Sequence, residues 1–261
     1  MTDKLLGLDV SAYQTYRVGN IVTKHIDWDK LALQPVRFVV LRCGISWGYV
    51  DVAYSFGKAE CKRLGIPMGA YHVFYPNSDP LRQAQHFVNV AGLDTDFPLV
   101  ADIELGEGAH ACSPLQYQKA LKIYLDEIER LTGEKPIIYS RATFLDYYVV
   151  GSGVAPSWFG EYDYWLAQYL LSGVEHQGPP TLPKGVTRDK VVIHQTSDRG
   201  DGSYYGVQSK AVDLNRWQLS EAELLTFIGQ EVEPEPEPEP PTFEQVVIYK
   251  LNQIMKAVGA K

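Results

Sequence analysis

Eight short apolar segments, separated by stretches with helical periodicity, constrain the fold more than any other feature of the sequence. They span residues 5–11, 37–44, 67–75, 97–105, 135–140, 164–169, 190–197 and 211–215. Between them, a stretch such as 113–133 carries helix signals: Ser113 can cap its start and Gly133 can end it. Strands that alternate with helices favour a parallel sheet with right-handed crossovers. Eight of them predict an α/β fold, an eight-stranded barrel.

Charge and apolar patterning exclude several classes of partner. The chain has 32 acidic residues against 24 lysines and arginines, a net charge of −8, whereas nucleic-acid binding needs clustered cations. No run of about 18 apolar residues appears, so the sequence predicts no integral membrane segment. The N-terminus enters a strand pattern at once and shows no signal peptide, so we expect synthesis in the host cytoplasm.

Neither the cysteines nor the histidines have the spacing of a metal site. Cys43, Cys61 and Cys112 form an odd set, which we expect to be reduced thiols. His72 and His194 alternate away from the polar strand ends, so hydrogen bonds behind the barrel wall are expected of them. The sequence predicts no metal and no cofactor.

The composition changes sharply at the end of the predicted barrel domain, residues 1–229. Residues 230–241 alternate glutamate with proline, which predicts a stiff, charged linker. Residues 242–261 predict a short amphipathic helix, because apolar residues recur there at steps of three and four. A helix of this length is unstable alone in water. We therefore expect its apolar stripe to be buried, either in a homo-oligomer or against the barrel domain or a partner.

Polar or aromatic side chains stand near the carboxyl end of every predicted strand. They are Asp9, Arg42, Tyr71, Asp102 with Glu104, Tyr139, Gln168 or Tyr169, Gln195 and Asp213. Barrels of this class hold their chemistry at that end. A strand-end aspartate often only caps a turn, but eight coincidences favour a single functional site. Asp102, Glu104 and Val100 share one strand face, opposite Leu99, Ala101, Ile103 and Leu105.

These strand ends also carry a family resemblance. The segments GLDVSAYQ, MGAYHVFY, PLVADIEL, IIYS, YWLAQY, VVIHQTS and VDLNRW, in this order, resemble the family 25 glycoside hydrolases, the N-acetylmuramidase lysozymes common among bacteriophage endolysins. The resemblance implies an irregular barrel with fewer helices than the regular eightfold form. It implies cleavage of the β-1,4 bond between N-acetylmuramic acid and N-acetylglucosamine in bacterial peptidoglycan. The family pattern places the catalytic acid on Glu104 and its companion carboxylates on Asp9, Asp102 and Asp213.

Glycosidic cleavage needs one protonated carboxyl and a second group that stabilises the developing positive charge. Asp102 and Glu104 disfavour each other's ionisation, and we assign the retained proton to Glu104, whose longer side chain reaches further. Two second steps remain open. The substrate's acetamido oxygen can attack the anomeric carbon with help from Asp102 and Tyr139, which we favour, or Asp9 or Asp213 can act from the opposite side.

The remaining predictions concern binding and the competing functions. Aromatic faces stack on sugar rings, so Tyr71, Tyr139, Trp165 and Tyr169, with Gln195 and Arg42, are predicted to bind substrate. Trp47, Trp158, Tyr204 and Tyr205 lie in loop-like stretches and either pack there or touch glycan. A chitinase-like signature would need acids at positions 97 and 100, which hold Phe97 and Val100. The alternative from another class is a noncatalytic module that binds cell-wall glycan.

Overall fold

The computed structural model describes residues 4–104, 111–170 and 172–230, and the description that follows is confined to them. The strands are β1 (Leu6–Val10), β2 (Tyr16–Val18), β3 (Ile21–Lys24), β4 (Val36–Ile45), β5 (Tyr49–Val50), β6 (Met68–Val73), β7 (Val100–Asp102), β8 (Ile137–Ser140), β9 (Tyr164–Ala167), β10 (Val191–Asp201) and β11 (Ala211–Trp217). The α-helices are α1 (Trp28–Ala32), α2 (Tyr54–Leu64), α3 (Pro80–Ala91), α4 (Pro114–Thr132), α5 (Ala142–Phe144) and α6 (Glu221–Phe227). Every predicted barrel strand is confirmed.

Eight of these strands close into a barrel. Their order is β1, β11, β10, β9, β8, β7, β6 and β4, and β4 pairs with β1 to complete the ring. Strand β5 forms a hairpin with β4, and β2 pairs with β3 outside the barrel. The prediction of an all-parallel sheet is wrong for β11, which runs antiparallel to both β10 and β1.

The reversed strand also corrects the reason given for one site residue. Asp213 lies in the first half of β11, not near its carboxyl end, and it pairs in register with Asp9. Because β11 is antiparallel, its first half lies at the end of the barrel where β1 and the other strands finish. Asp213 therefore reaches the predicted end of the barrel.

The two faces of β7 enter different apolar clusters, as the alternation predicts. Val100 packs inside the barrel in a cluster with Phe38, Ile137 and Trp165. Leu99, Ala101 and Ile103 belong to the cluster shared with the surrounding helices. Leu105, the last residue of the predicted alternation, lies outside the described residues.

The helical layer is incomplete, which agrees with the irregular barrel that the resemblance implies. Helix α4 begins after Ser113, whose hydroxyl accepts the amide of Gln116, and ends at Gly133, whose φ of 81° suits a residue without a Cβ. By contrast, β10 and β11 are joined by residues 202–210 with no helix. Helix α6 follows β11, and its Phe227 packs against Trp217 and Phe97 of the inner cluster.

The remaining sequence predictions divide between the described and undescribed parts of the chain. Cys43, Cys61 and Cys112 are free, and the first two are buried. No helix in the described part is long and apolar enough to cross a membrane. The predicted linker at 230–241, apart from Gln230, and the amphipathic helix at 242–261 lie outside the described residues, so both stay predictions.

Candidate active site

Asp9, the fourth residue of β1, is the centre of a buried hydrogen-bond network. Its Oδ2 accepts Gln195 Nε2 at 3.0 Å and Asn215 Nδ2 at 2.8 Å. Gln195 Oε1 in turn accepts the Tyr139 hydroxyl at 2.9 Å, and Asn215 Oδ1 accepts Trp165 Nε1 at 2.8 Å. All five side chains are buried. The network therefore holds the Asp9 carboxylate in one orientation.

Asp213 completes the environment of Asp9 from the neighbouring strand. The two carboxyl groups form a hydrogen bond, which requires one proton between them. Burial and the charge of Asp9 raise the pKa of Asp213 to about 9. Burial also raises the pKa of Asp9, but the hydrogen bonds from Asn215 and Gln195 oppose that rise. Near neutral pH we infer that Asp213 carries the shared proton and Asp9 is the anion.

Asp102 ends β7 and is almost wholly buried, with 3% of its surface exposed. Burial, followed by the charges of Glu104 and Asp9, raises the pKa of Asp102 well above its usual range. Its Oδ1 atom is buried and has no hydrogen-bond partner among the described residues. Asp102 thus holds a buried polar atom whose hydrogen-bonding capacity no described residue uses.

Glu104 lies two residues beyond Asp102 and is more accessible. Burial is the main cause that raises the pKa of Glu104, while the charges of Arg141 and Arg42 lower it. The sequence prediction relied on repulsion between the two acids. At Asp102 the charge of Glu104 ranks second to burial, and at Glu104 the acid that raises the pKa is Asp9. Burial pushes the pKa of Asp102 further than that of Glu104, so access to the cleft rather than pKa distinguishes Glu104 as a proton donor.

Arg42 lies near these acids but is already paired. Its Nε donates to Asp51 Oδ2 at 2.8 Å, and its guanidinium lies 5.0 Å from the ring centre of Tyr13. The side chain of Arg42 is buried, and its charge lowers the pKa of both Asp102 and Glu104. Its position suits a fixed counter-charge, and the predicted contact with substrate stays a prediction.

The predicted aromatic residues are brought to the same end of the barrel, at different depths. Tyr139 and Tyr71 meet the indole of Trp165 edge-on, with ring centres 4.6 and 6.4 Å from it. Trp165 is only 2% exposed, so it lies beneath the surface and leaves almost no area for a sugar ring. Tyr169 is less deeply buried than Trp165, and the guanidinium of Arg141 lies 4.6 Å from the ring centre of Tyr169.

An open cleft of about 590 Å³ adjoins Glu104. Its lining residues are Glu104, Arg141, Thr143, Phe144, Tyr147 and Tyr148. A second cleft of about 440 Å³ lies towards β4 and β6 and includes Trp47, Tyr49 and Tyr75. In the strand order, β8 and β9 stand on one side of β7 and β6 and β4 on the other. The two clefts therefore flank the strand that leads to Glu104.

Two residues of this site were not predicted from the sequence. Asn215 is two positions after Asp213, and side chains at that spacing share a strand face, so the alternation could have indicated it. Arg141 directly follows β8 and so stands one residue beyond the predicted strand at 135–140. The strand-end pattern applied one residue further would have included it.

His72 and His194 take structural positions, and the described residues contain no group that could hold a metal ion. His72 bonds to the Tyr124 hydroxyl at 2.9 Å behind the barrel wall, and burial lowers its pKa to about 3. His194 bonds to the carbonyl of Gln168 at 2.9 Å. Both therefore make the hydrogen bonds that were predicted for them.

Comparisons with known proteins indicate the family of this chain. A family profile described as glycosyl hydrolases family 25 matches residues 8–203. An uncharacterized protein, YegX of Escherichia coli O157:H7, is 28% identical over 228 residues, which cover 85% of this chain and 72% of that protein.

Solved structures show the same likeness at the level of the fold. A bacterial lysozyme from Streptomyces coelicolor has a TM-score of 0.70 at 24% identity, covering 87% of this chain and 98% of that one. A family 25 glycosyl hydrolase from Bacillus anthracis has a TM-score of 0.67 at 23% identity, covering 89% and 96%.

Proposed function

Because the chain belongs to glycosyl hydrolases family 25, we propose that it is a lysozyme acting on bacterial peptidoglycan. In this proposal it cleaves the β-1,4 bond between N-acetylmuramic acid and N-acetylglucosamine. One observation carries the proposal: the carboxyl groups of Asp9, Asp102, Glu104 and Asp213 meet at one end of the barrel, and burial raises the pKa of each. A protein that only binds glycan has no need of buried acids beside a proton donor.

Glu104 is the proposed general acid and base. Its raised pKa favours the protonated form, and it faces the open cleft where a glycosidic oxygen can approach. When the bond between the anomeric carbon and the bridging oxygen breaks, that oxygen takes the proton of Glu104. The resulting carboxylate can then accept a proton from the water that completes hydrolysis.

Asp102 is the proposed partner of the substrate's 2-acetamido group. Its Oδ1 has no partner among the described residues, and we propose that it accepts the acetamido N–H when substrate enters, which turns the acetamido oxygen towards the anomeric carbon. Attack by that oxygen forms a cyclic intermediate as the leaving group departs, and attack by water then restores the original anomeric configuration. The alternative, direct action by Asp9, is less well supported because its Oδ2 already accepts two hydrogen bonds.

The remaining site residues are proposed to shape and bind the glycan. Tyr71 and Tyr169 are proposed as aromatic contacts with the sugar rings. Gln195 donates to Asp9 and accepts from Tyr139, so these two residues are proposed to orient the Asp9 carboxylate. For Trp165, support below the sugar-binding surface fits better than direct stacking, because its indole is buried and tied to Asn215.

The proposed place of action is the bacterial cell wall. We keep one further proposal from the sequence, self-association through residues 242–261. Sedimentation of chains ending at Gly229 and at Lys261 tests it, because equal monomer masses would exclude association.

Digestion of purified peptidoglycan tests the activity. Borohydride reduction followed by mass spectrometry should find new N-acetylmuramic acid reducing ends, and Glu104→Gln should abolish them while binding and folding persist. Glu161→Gln is the matched control, because Glu161 is exposed and paired with Lys135 at the opposite end of the barrel. New N-acetylglucosamine ends would instead indicate a glucosaminidase, and binding without any cleavage would indicate a noncatalytic module.

A further inference from the structure

Arg141 stands beside the proposed proton donor, where its charge works against proton retention. It lines the same cleft as Glu104, and its charge lowers the pKa of that carboxyl. With a neutral residue at position 141, the pKa of Glu104 would be higher, and Glu104 would stay protonated to higher pH. The presence of a cation here is therefore best explained by something that the cation binds.

The hydrogen-bonding state of Arg141 leaves it able to bind an anion. Its Nη2 donates to the hydroxyl of Tyr169, a neutral group, and the same tyrosine ring supports the guanidinium from below. Among the described residues, no carboxylate forms an ion pair with it. Arg42, the other cation that acts on Glu104, is buried and already paired with Asp51. Arg141 is exposed, so its charge is the one presented to the cleft.

The cleft has the size and lining for a substituent beyond the sugar backbone. Its volume is about 590 Å³, and its wall continues from Arg141 to Tyr147, which is 72% exposed. Phe144, Tyr148 and Thr143 complete the wall, so the cleft combines three aromatic side chains with a hydroxyl, an acid and a cation. The aromatic faces can pack against either a sugar ring or a peptide, but the cation adds a site for an anionic group, which a bare sugar ring lacks.

We propose that Arg141 binds a carboxylate of the peptide that the N-acetylmuramic acid of the substrate carries, so that this cleft is a subsite for an acidic peptide. The inference rests on the proposed function. In peptidoglycan, the lactyl group of the muramic acid is linked to a short peptide with free carboxylates. A guanidinium matches a carboxylate with two parallel N–H···O bonds, and contacts with the ring and the hydroxyl of Tyr169 restrict where the Arg141 guanidinium lies.

Peptide binding would also act on the chemistry of the neighbouring acid. A carboxylate paired with Arg141 cancels much of the positive charge that lowers the pKa of Glu104. Glu104 then keeps its proton to higher pH when the correct substrate is bound. Binding of the peptide at this subsite thus increases the fraction of Glu104 that carries the proton it must donate.

The test compares native soluble glycan–peptide fragments with fragments whose carboxylates have been converted to methylamides, both prepared from walls freed of phosphate polymers. Cleavage is followed as kcat/KM in an otherwise unaltered chain, and Kd is measured in the Glu104→Gln background. The variants are Arg141→Gln and Arg141→Lys. Arg130→Gln is the matched control, since Arg130 is an exposed arginine on α4 that pairs with Glu127.

We expect the unaltered chain to prefer native over amidated fragments by about tenfold, the effect of one partly exposed charged hydrogen bond. Arg141→Gln should remove that preference, Arg141→Lys should keep part of it, and Arg130→Gln should keep all of it. Equal use of both fragments by the unaltered chain, or an undiminished preference in Arg141→Gln, overturns the proposal. If the unaltered chain binds these fragments but does not cleave them, the lysozyme assignment fails, whereas the Kd values measured in the Glu104→Gln background still decide the role of Arg141.

Discussion

Asp9 and Asp213 face each other across the seam where the first and last strands of the barrel meet, and their carboxyl groups share a hydrogen bond. Two buried acids in contact are stable only while one of them keeps a proton. The donors Asn215 and Gln195 both serve Asp9, so the arrangement assigns the charge to Asp9 and the proton to Asp213. This division has consequences for both stability and rate.

Asp213→Asn should stabilise the fold at neutral and alkaline pH while lowering activity. The pKa of Asp213 is near 4 in an unfolded chain and about 9 in the fold, so the native state loses stability as pH rises between these values. The asparagine amide cannot ionise and can still donate to Asp9. We expect a gain of about 1–3 kcal/mol at pH 8 and almost none at pH 4, measured by urea unfolding. An equal gain at both pH values would contradict the shared proton.

Asn215→Ala should lower both stability and activity. The change leaves Trp165 Nε1 buried without its acceptor and removes one of the two amide donors to Asp9. A buried group deprived of its partner costs about 1–3 kcal/mol, which chemical denaturation can resolve. Asn89→Ala, at an exposed position of α3, is the control and should change stability by less than about 0.5 kcal/mol. Comparable losses in the two variants would argue against the network.

The rate should fall as pH rises through the raised pKa of Glu104, because the ionised form has no proton to give. Arg141→Gln removes a charge that lowers this pKa, so the alkaline limb of the kcat/KM profile should move to higher pH. The measurement is a pH series on soluble glycan, with Arg130→Gln as the control whose limb stays in place. Movement to lower pH would show that another group controls the limb.

Asp102→Asn should lower kcat by roughly 10²-fold, the usual size of a lost transition-state electrostatic contact. In the substrate complex, the acetamido N–H that donates to Asp102 favours the ionised form of this carboxyl, which stabilises the acetamido group as it attacks. The amide keeps the shape of the side chain but cannot ionise. In the unaltered chain, NMR of the first-formed sugar should show the anomeric configuration of the substrate. Net inversion would exclude participation of the acetamido group.

The barrel strands could be predicted because each is a local pattern, but the direction of β11 could not. The predicted strand at 190–197 left a connection to 211 long enough for a helical crossover. In the structure β10 runs on to Asp201, so only residues 202–210 remain, fewer than the dozen or so that a parallel connection needs. The error in strand length thus became an error in direction.

The acids of the site could be predicted because strand ends and family motifs both indicate them. Their hydrogen bonds could not, because the pairing of Asp9 with Asn215 depends on the register between β1 and β11. The burial of Trp165 could not be predicted either. A strand pattern gives the side of the sheet on which a residue lies, but not which residues cover it.

The closure of the barrel by β1 and β11 also bears on how the chain is made. Asp9 emerges from the ribosome early, whereas Asp213 and Asn215 follow about 200 residues later, and the ring cannot close before they appear. A nascent or truncated chain that lacks the last strand holds only part of the acid cluster. Translation to the end of the barrel is therefore required before the four acids can come together, and an unfinished chain lacks a complete site.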